Sequence, residues 1–187
     1  MQRKSENNGF LQDKHVVKVS ISLEMLMDAV RMAYTILPYH IRDFSPSGLD
    51  EFLRSVIGHA GQFAVLFHLD NKSWKTRASE IPVGTPDNGD FEYRGYAGDV
   101  KSAAIAQPPR LLVTVRDFEA HQDDLYVLVW VRLELGEAWI LGWAWAREVA
   151  SAPVDWTLIE PAHAMTYGVL HDMEEFRSLP PKASLSS

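Results

Sequence analysis

Residues 126–133, YVLVWVRL, decide the fold because seven of these eight side chains are apolar. A strand of this composition, apolar on both sides, is typical of the middle of a sheet that is covered on both faces. Four runs of similar character lie at residues 91–96, 98–105, 110–115 and 138–146, separated by Gly, Pro, Asp and His. The chain beyond residue 90 is therefore predicted to form successive strands.

The part of the chain before these strands has helical periodicity. Residues 22–37 place apolar side chains three and four apart, with Ser22 as the predicted N-cap and Pro38 as the stop. Residues 48–57 and 61–69 are predicted to be two further helices, and short helices are predicted at 146–150 and 172–178. Helices before strands indicate an α/β fold with a mixed central sheet flanked by helices.

Length and composition predict a single domain. The chain has 187 residues, 47% of them hydrophobic, which is enough to form one core of ordinary size. We expect this domain to cover residues 15–178. Residues 1–14 and 179–187 have no apolar period and are predicted to be flexible tails.

Several classes of protein are excluded or disfavoured. Cys is absent, which excludes disulfides, thiolate metal sites and cysteine nucleophiles. No apolar run approaches the roughly 20 residues of a membrane span, and no secretory leader pattern is present, so a cytoplasmic location without membrane contact is expected. The seven histidines have no zinc-site spacing. A net charge of −7 argues against coating nucleic acid by bulk electrostatics.

The main candidate site is formed by Asp87, Asp99 and Lys101. Asp99 and Lys101 are two residues apart on a predicted strand, so their side chains leave the same face. Asp87 lies in a Gly/Pro/Asn-rich turn just before that region. Carboxylates beside an ammonium suit Mg²⁺, which prefers oxygen ligands and keeps several waters.

These residues resemble a known nuclease motif. Pro86-Asp87, eleven intervening residues and then Asp99-Val100-Lys101 are similar to the pattern of the PD-(D/E)xK nuclease superfamily. The likeness extends over residues 61–176 and includes the order of predicted helices and strands. It implies a restriction-endonuclease-like fold and a Mg²⁺-dependent nuclease that hydrolyses phosphodiester bonds of DNA with a metal-activated water.

The resemblance also implies roles for single residues. Asp87 and Asp99, with the carbonyl of Val100, would bind Mg²⁺, or Mn²⁺ in its place. Lys101 would orient the attacking water and offset charge on the phosphoryl oxygens. Gln62 stands on a predicted helix where such nucleases often carry Glu, so it is the fourth candidate. A homodimer is expected for double-strand cleavage, since one site cuts one strand.

Other interpretations of the same residues stay open. Asp87 alone would suit an Asp-Asn-Gly turn, and Asp99 with Lys101 would suit a solvated pair on a strand face. Asp90, Glu92 and Arg94 alternate along the preceding strand and form a competing constellation, in which Asp90 takes part if the strand register differs.

Two other functions also remain open. One is a nuclease-fold module with a decayed site, which binds nucleic acid or protein without cutting. The other is a homodimeric structural or assembly protein built on strands carrying Trp139, Trp143 and Trp145. The segment from Lys72 to Arg116 carries seven basic and five acidic residues, and this local excess favours a phosphate ligand.

Overall fold

The computed structural model describes residues 16–40, 48–70, 75, 90–105 and 107–183. The strands, in chain order, are β1 (Val17–Ser20), β2 (Phe91–Tyr93), β3 (Tyr96–Ala103), β4 (Arg110–Thr114), β5 (Leu125–Arg132), β6 (Glu137–Trp145), β7 (Val154–Asp155) and β8 (Ala162–Thr166). The helices are α1 (Leu23–His40), α2 (Gly48–Leu69), α3 (Val115–Ala120), α4 (Ala146–Ser151) and α5 (Met173–Ser178).

The strands form two sheets. The larger has five strands in the order β1-β6-β5-β3-β2, and the smaller has three in the order β4-β8-β7. Strand β3 pairs in parallel with β5, and the other pairs of the larger sheet are antiparallel. The α/β class with a mixed sheet flanked by helices is therefore confirmed. Within the described ranges, no helix is both long and apolar enough to cross a bilayer.

Strand β5 divides two hydrophobic cores. Its side chains are buried from Leu125 through Val131, which confirms the prediction of a central strand covered on both faces. Val127 and Val129 pack with α1 and α2 on one face. Tyr126 and Leu128 pack on the other face with residues of the smaller sheet. Each fully buried side chain of this size contributes about 1.5–3 kcal/mol, so burial on both faces makes β5 a main contributor to the stability of both cores.

Helix α2 differs from the sequence prediction. Two helices interrupted around Gly58 were predicted, but one helix runs from Gly48 to Leu69. Glycine lowers helix stability by only about 1 kcal/mol, which packing of the apolar residues that follow easily offsets. Helix α1 likewise ends at His40, two residues beyond the predicted stop at Pro38.

The C-terminal segment makes contacts where a flexible tail was predicted. Leu179 packs against the helix-covered core. The ammonium of Lys182 lies 2.6 and 2.7 Å from the two carboxylate oxygens of Asp124, and its main-chain N–H donates to the carbonyl of Arg94 at 2.9 Å. Residues 179–183 therefore belong to the folded body at the turn between β2 and β3.

Two glycines of α2 should respond in opposite ways to alanine substitution. A Cβ on Gly58 would meet no atom within 4 Å, so Gly58→Ala should raise the free energy of unfolding by about 0.5–1 kcal/mol through helix propensity. A Cβ on Gly61 would lie 1.9 Å from Oγ of Ser102, so Gly61→Ala should destabilise the protein by about 1–3 kcal/mol. Urea titrations of both variants provide the measurement. Equal changes would contradict the packing of α2 on β3.

Candidate functional site

Strand β3 presents Asp99 and Lys101 on the face that points away from α2. Gly98 and Val100 are buried on the helix-covered face, whereas the alternating Asp99 and Lys101 are only partly buried. Nζ of Lys101 lies 2.9 Å from Oδ2 of Asp99, and the two groups form an ion pair. The predicted shared face of the two side chains is therefore present.

A third charged group reaches the pair from α3. Oδ2 of Asp117 lies 3.7 Å from Nζ of Lys101. The position of Asp117 is fixed by helix capping, because its main-chain N–H donates to Oγ1 of Thr114 at 3.0 Å. Asp117 was not a candidate from the sequence, since the short helix that carries it was not predicted.

Asp90 supplies a second carboxylate at the edge of β3. Its Oδ2 accepts a hydrogen bond from the main-chain N–H of Val100 at 2.7 Å, and its own N–H donates to the carbonyl of Gly98 at 2.9 Å. The side chain thus continues the β2–β3 ladder one step beyond Phe91. The register makes Asp90 the neighbour of the Asp99–Lys101 pair, and Asp87 lies outside the described residues.

Gln62 approaches the same edge from the opposite face of the sheet. Neighbouring Gly61 packs on Ser102 and Val129, which belong to the helix-covered face. The buried amide Nε2 of Gln62 donates to the carbonyl of Asp90 at 2.9 Å. The structure therefore places Gln62 behind Asp90, where it can fix the main chain of Asp90, rather than beside Asp99 and Lys101.

The charges around Lys101 determine its protonation. Burial alone would lower the pKa of the Lys101 ammonium, but the negative charges of Asp99, Asp117 and Asp90 outweigh it and raise that pKa above the ordinary value. Burial, together with Asp123, Asp99 and Asp117, also raises the pKa of the Tyr126 phenol. The site therefore holds one ammonium and one neutral phenol among several carboxylates at neutral pH.

The carboxylates give the cluster a net negative charge. Asp90, Asp99 and Asp117 carry three negative charges and Lys101 one positive charge, which leaves a net −2. In the described part of the chain, no group of three or more His, Asp or Glu side chains is arranged to hold a metal ion. Mg²⁺ commonly binds through one or two carboxylates, with water and substrate phosphate as its other ligands.

A separate charged cluster surrounds His171, which forms an antiparallel bridge with Trp143 of β6. Its Nε2 lies 2.9 Å from Oε1 of Glu148, and its Nδ1 lies 3.0 Å from Oε2 of Glu175. Burial lowers the pKa of His171, but hydrogen bonds and charges from Glu148 and then Glu175 outweigh it, so the pKa is raised. His171 packs on Trp143, with ring centroids 4.7 Å apart.

This cluster predicts a pH-dependent stability. Because the pKa of His171 is higher in the folded chain than in the unfolded one, its contribution is complete below about pH 6.5. It is lost as the pH rises through the folded-state value. With the groups partly exposed, we expect a loss below about 1 kcal/mol. The pKa of His68 is lowered to about 4, which adds stability as the pH rises through 6.5 and opposes this loss in the total. The effect of His171 is therefore measured as the urea midpoint of the parent minus that of His171→Gln, which should be smaller at pH 8.5 than at pH 5.5. The same difference at both pH values would contradict the assignment.

The chain matches no protein-family model, no curated protein and no solved structure.

Proposed function

We propose that the chain is a divalent-metal-dependent nuclease that hydrolyses phosphodiester bonds of DNA, with a restriction-endonuclease-like fold. The observation that carries the proposal is the position of Asp90 and Asp99 beside Lys101 at one strand edge. The antiparallel β2–β3 hairpin followed by the parallel β3–β5 pair supports the fold assignment. The motif predicted Asp87 as a metal ligand, and Asp87 lies outside the described residues. Asp90 is the described carboxylate that takes this role in the proposal, and Asp87 stays a predicted ligand.

The donor set fits Mg²⁺ or Mn²⁺. Asp90 and Asp99 would hold the ion, and no thiolate competes for it, since the chain has no cysteine. When bound, the ion would polarise the scissile phosphate and lower the pKa of the attacking water.

Lys101 has two tasks in this proposal. In the free chain its raised pKa keeps it a cation, so it can donate hydrogen bonds to a phosphoryl oxygen and offset the charge that develops there. A cation on Asp90 and Asp99 would cancel the charges that keep this pKa high. Lys101 could then release its proton to solvent, and the neutral amine could accept a proton from the attacking water, which would restore the ammonium.

The surroundings of the site support a phosphate-bearing substrate. Arg110 on β4 and Arg116 on α3 are about half exposed or more, and Nε of Arg116 lies 3.9 Å from Oδ1 of Asp117. Both are engaged in surface ion pairs with Asp155 and Glu160. Such pairs contribute at most about 1 kcal/mol, so a nucleic-acid phosphate can displace the acidic partner. Cutting both strands would require two copies of the chain.

The direct test is cleavage of supercoiled plasmid by the full-length chain. We expect nicked or linear product with Mg²⁺ or Mn²⁺ and none with EDTA. Asp99→Asn should leave only background cleavage, while its melting temperature stays close to that of the parent chain. DNA binding without cleavage under any divalent metal would contradict the nuclease and favour the decayed module.

A further inference from the structure

Helix α1 carries an apolar stripe on its outer face. Leu23, Met27 and Tyr34 are 73%, 63% and 72% exposed, and Val30 is 39% exposed. The opposite side of α1 is buried against the core through Met25, Ala29, Met32 and Ala33. The helix is therefore apolar on two sides, and only one side is covered within the described chain.

The stripe has a self-complementary spacing. Its members follow each other at intervals of four, three and four residues, which read the same in both directions. A two-fold axis between residues 28 and 29 therefore brings Leu23 opposite Tyr34 and Met27 opposite Val30 in an antiparallel pair of helices. An interface between identical copies requires this kind of self-complementarity.

The charges beside the stripe favour the antiparallel arrangement. Glu24 and Arg31 are seven residues apart, close to two turns, and so lie on the same flank of α1. With a rise of 1.5 Å per residue, the two-fold axis places Arg31 about 3 Å along the helix from the partner subunit's Glu24. In a parallel pair the two charged flanks would lie on opposite sides of the interface, and no such ion pair would form.

Glu24 and Arg31 have ion-pair partners within the chain, and these pairs do not prevent the two side chains from pairing across an interface. Glu24 contacts Lys75 at 2.9 Å, and Arg31 contacts Asp28 at 2.9 Å. Both are exposed surface pairs, which contribute little to the free energy of folding and can be replaced by equivalent pairs across an interface.

We propose that the outer face of α1 is a homodimer surface, occupied by the same face of a second copy in antiparallel orientation. The inference goes beyond the nuclease proposal and does not depend on it. A stripe of three helical turns is smaller than a standard interface of about 800 Å² per partner. The dimer is therefore expected to be weak and to dissociate on dilution.

Sedimentation equilibrium of the full chain over a concentration series tests the surface. The apparent mass should rise from the 21.1 kDa of one chain toward twice that value. Met27→Asp should raise the dissociation constant at least about tenfold, because each substitution is present twice in a two-fold symmetric interface. Ile159→Asp, at a fully exposed apolar position outside α1, is the matched control and should leave the constant unchanged.

A charge exchange tests the orientation. Glu24→Lys and Arg31→Glu should each weaken the dimer by about threefold to tenfold, and the double variant should return the constant to within about twofold of the parent. Circular dichroism melts establish that each variant is folded. A single-chain mass at every concentration up to about 1 mM, or a dimer insensitive to Met27→Asp, would overturn the surface. Failure of the double variant to recover would overturn the antiparallel pairing.

Discussion

Lys101→Met is expected to lower the rate of plasmid cleavage by about 10²–10³-fold, the range typical of losing one group that stabilises transition-state charge. In the structure this ammonium is 2.9 Å from Asp99 and 3.7 Å from Asp117, and no other cation pairs with Asp99 in the described chain. Initial rates at saturating Mg²⁺ provide the measurement. A variant that cuts as fast as the parent would remove Lys101 from the mechanism.

Two controls separate chemistry from folding in this experiment. Lys18→Met removes an ion-paired lysine on β1, at the opposite edge of the same sheet, and should leave the rate unchanged. Lys101→Arg keeps the positive charge but cannot lose a proton. Partial activity in Lys101→Arg would mean that charge offset dominates, whereas complete loss would mean that proton transfer is required.

The same assay decides which acid accompanies Asp99. If the edge position of Asp90 is functional, Asp90→Asn should lose cleavage to the same degree as Asp99→Asn. Glu92→Gln, at the exposed position of β2, is the matched control. Asp87→Asn tests the ligand predicted from the motif. Loss in Asp87→Asn with full activity in Asp90→Asn would restore the sequence-based assignment.

Much of the fold was predictable because its determinants are local. The run around Val127 and Val129 is apolar and rich in β-branched residues, so it predicts a strand covered on both faces. Strand β8 was not predicted. Its sequence, AHAMT, has only one β-branched residue, at its end, and no sustained alternation of apolar and polar side chains. It exists through pairing with β4, from Arg110 with Thr166 to Thr114 with Ala162, which is a long-range contact.

The candidate site was predictable only in part for a related reason. A spacing of two on one strand is enough to place Asp99 and Lys101 on one face. Asp90 reaches the site because the hairpin register puts its side chain against the N–H of Val100, and register is not encoded in a motif. Gln62 is the opposite case. The motif predicted it at the site, but α2 places it behind the sheet, where it contacts the main chain of Asp90.

Trp143→Ala is expected to be the most destabilising single substitution in the described core, with a loss of about 3–5 kcal/mol. The indole is 2% exposed and touches the rings of Trp145, His171 and Phe176, with centroids 4.9, 4.7 and 5.4 Å apart. Its Nε1 also donates to the carbonyl of Asp172 at 2.9 Å. Because domains of this kind are stable by only about 5–15 kcal/mol, a large part of the total would be lost.

Urea titrations followed by circular dichroism measure this loss, with Trp156→Ala as the matched control. Trp156 is 74% exposed, so its removal should change the free energy of unfolding by less than about 0.5 kcal/mol. Trp143→Phe separates the two contributions, since it keeps a ring in the cluster but leaves the Asp172 carbonyl without its donor. A loss of about 1–3 kcal/mol is expected for that variant. Equal effects of Trp143→Ala and Trp156→Ala would show that β6 and α5 do not pack through this indole.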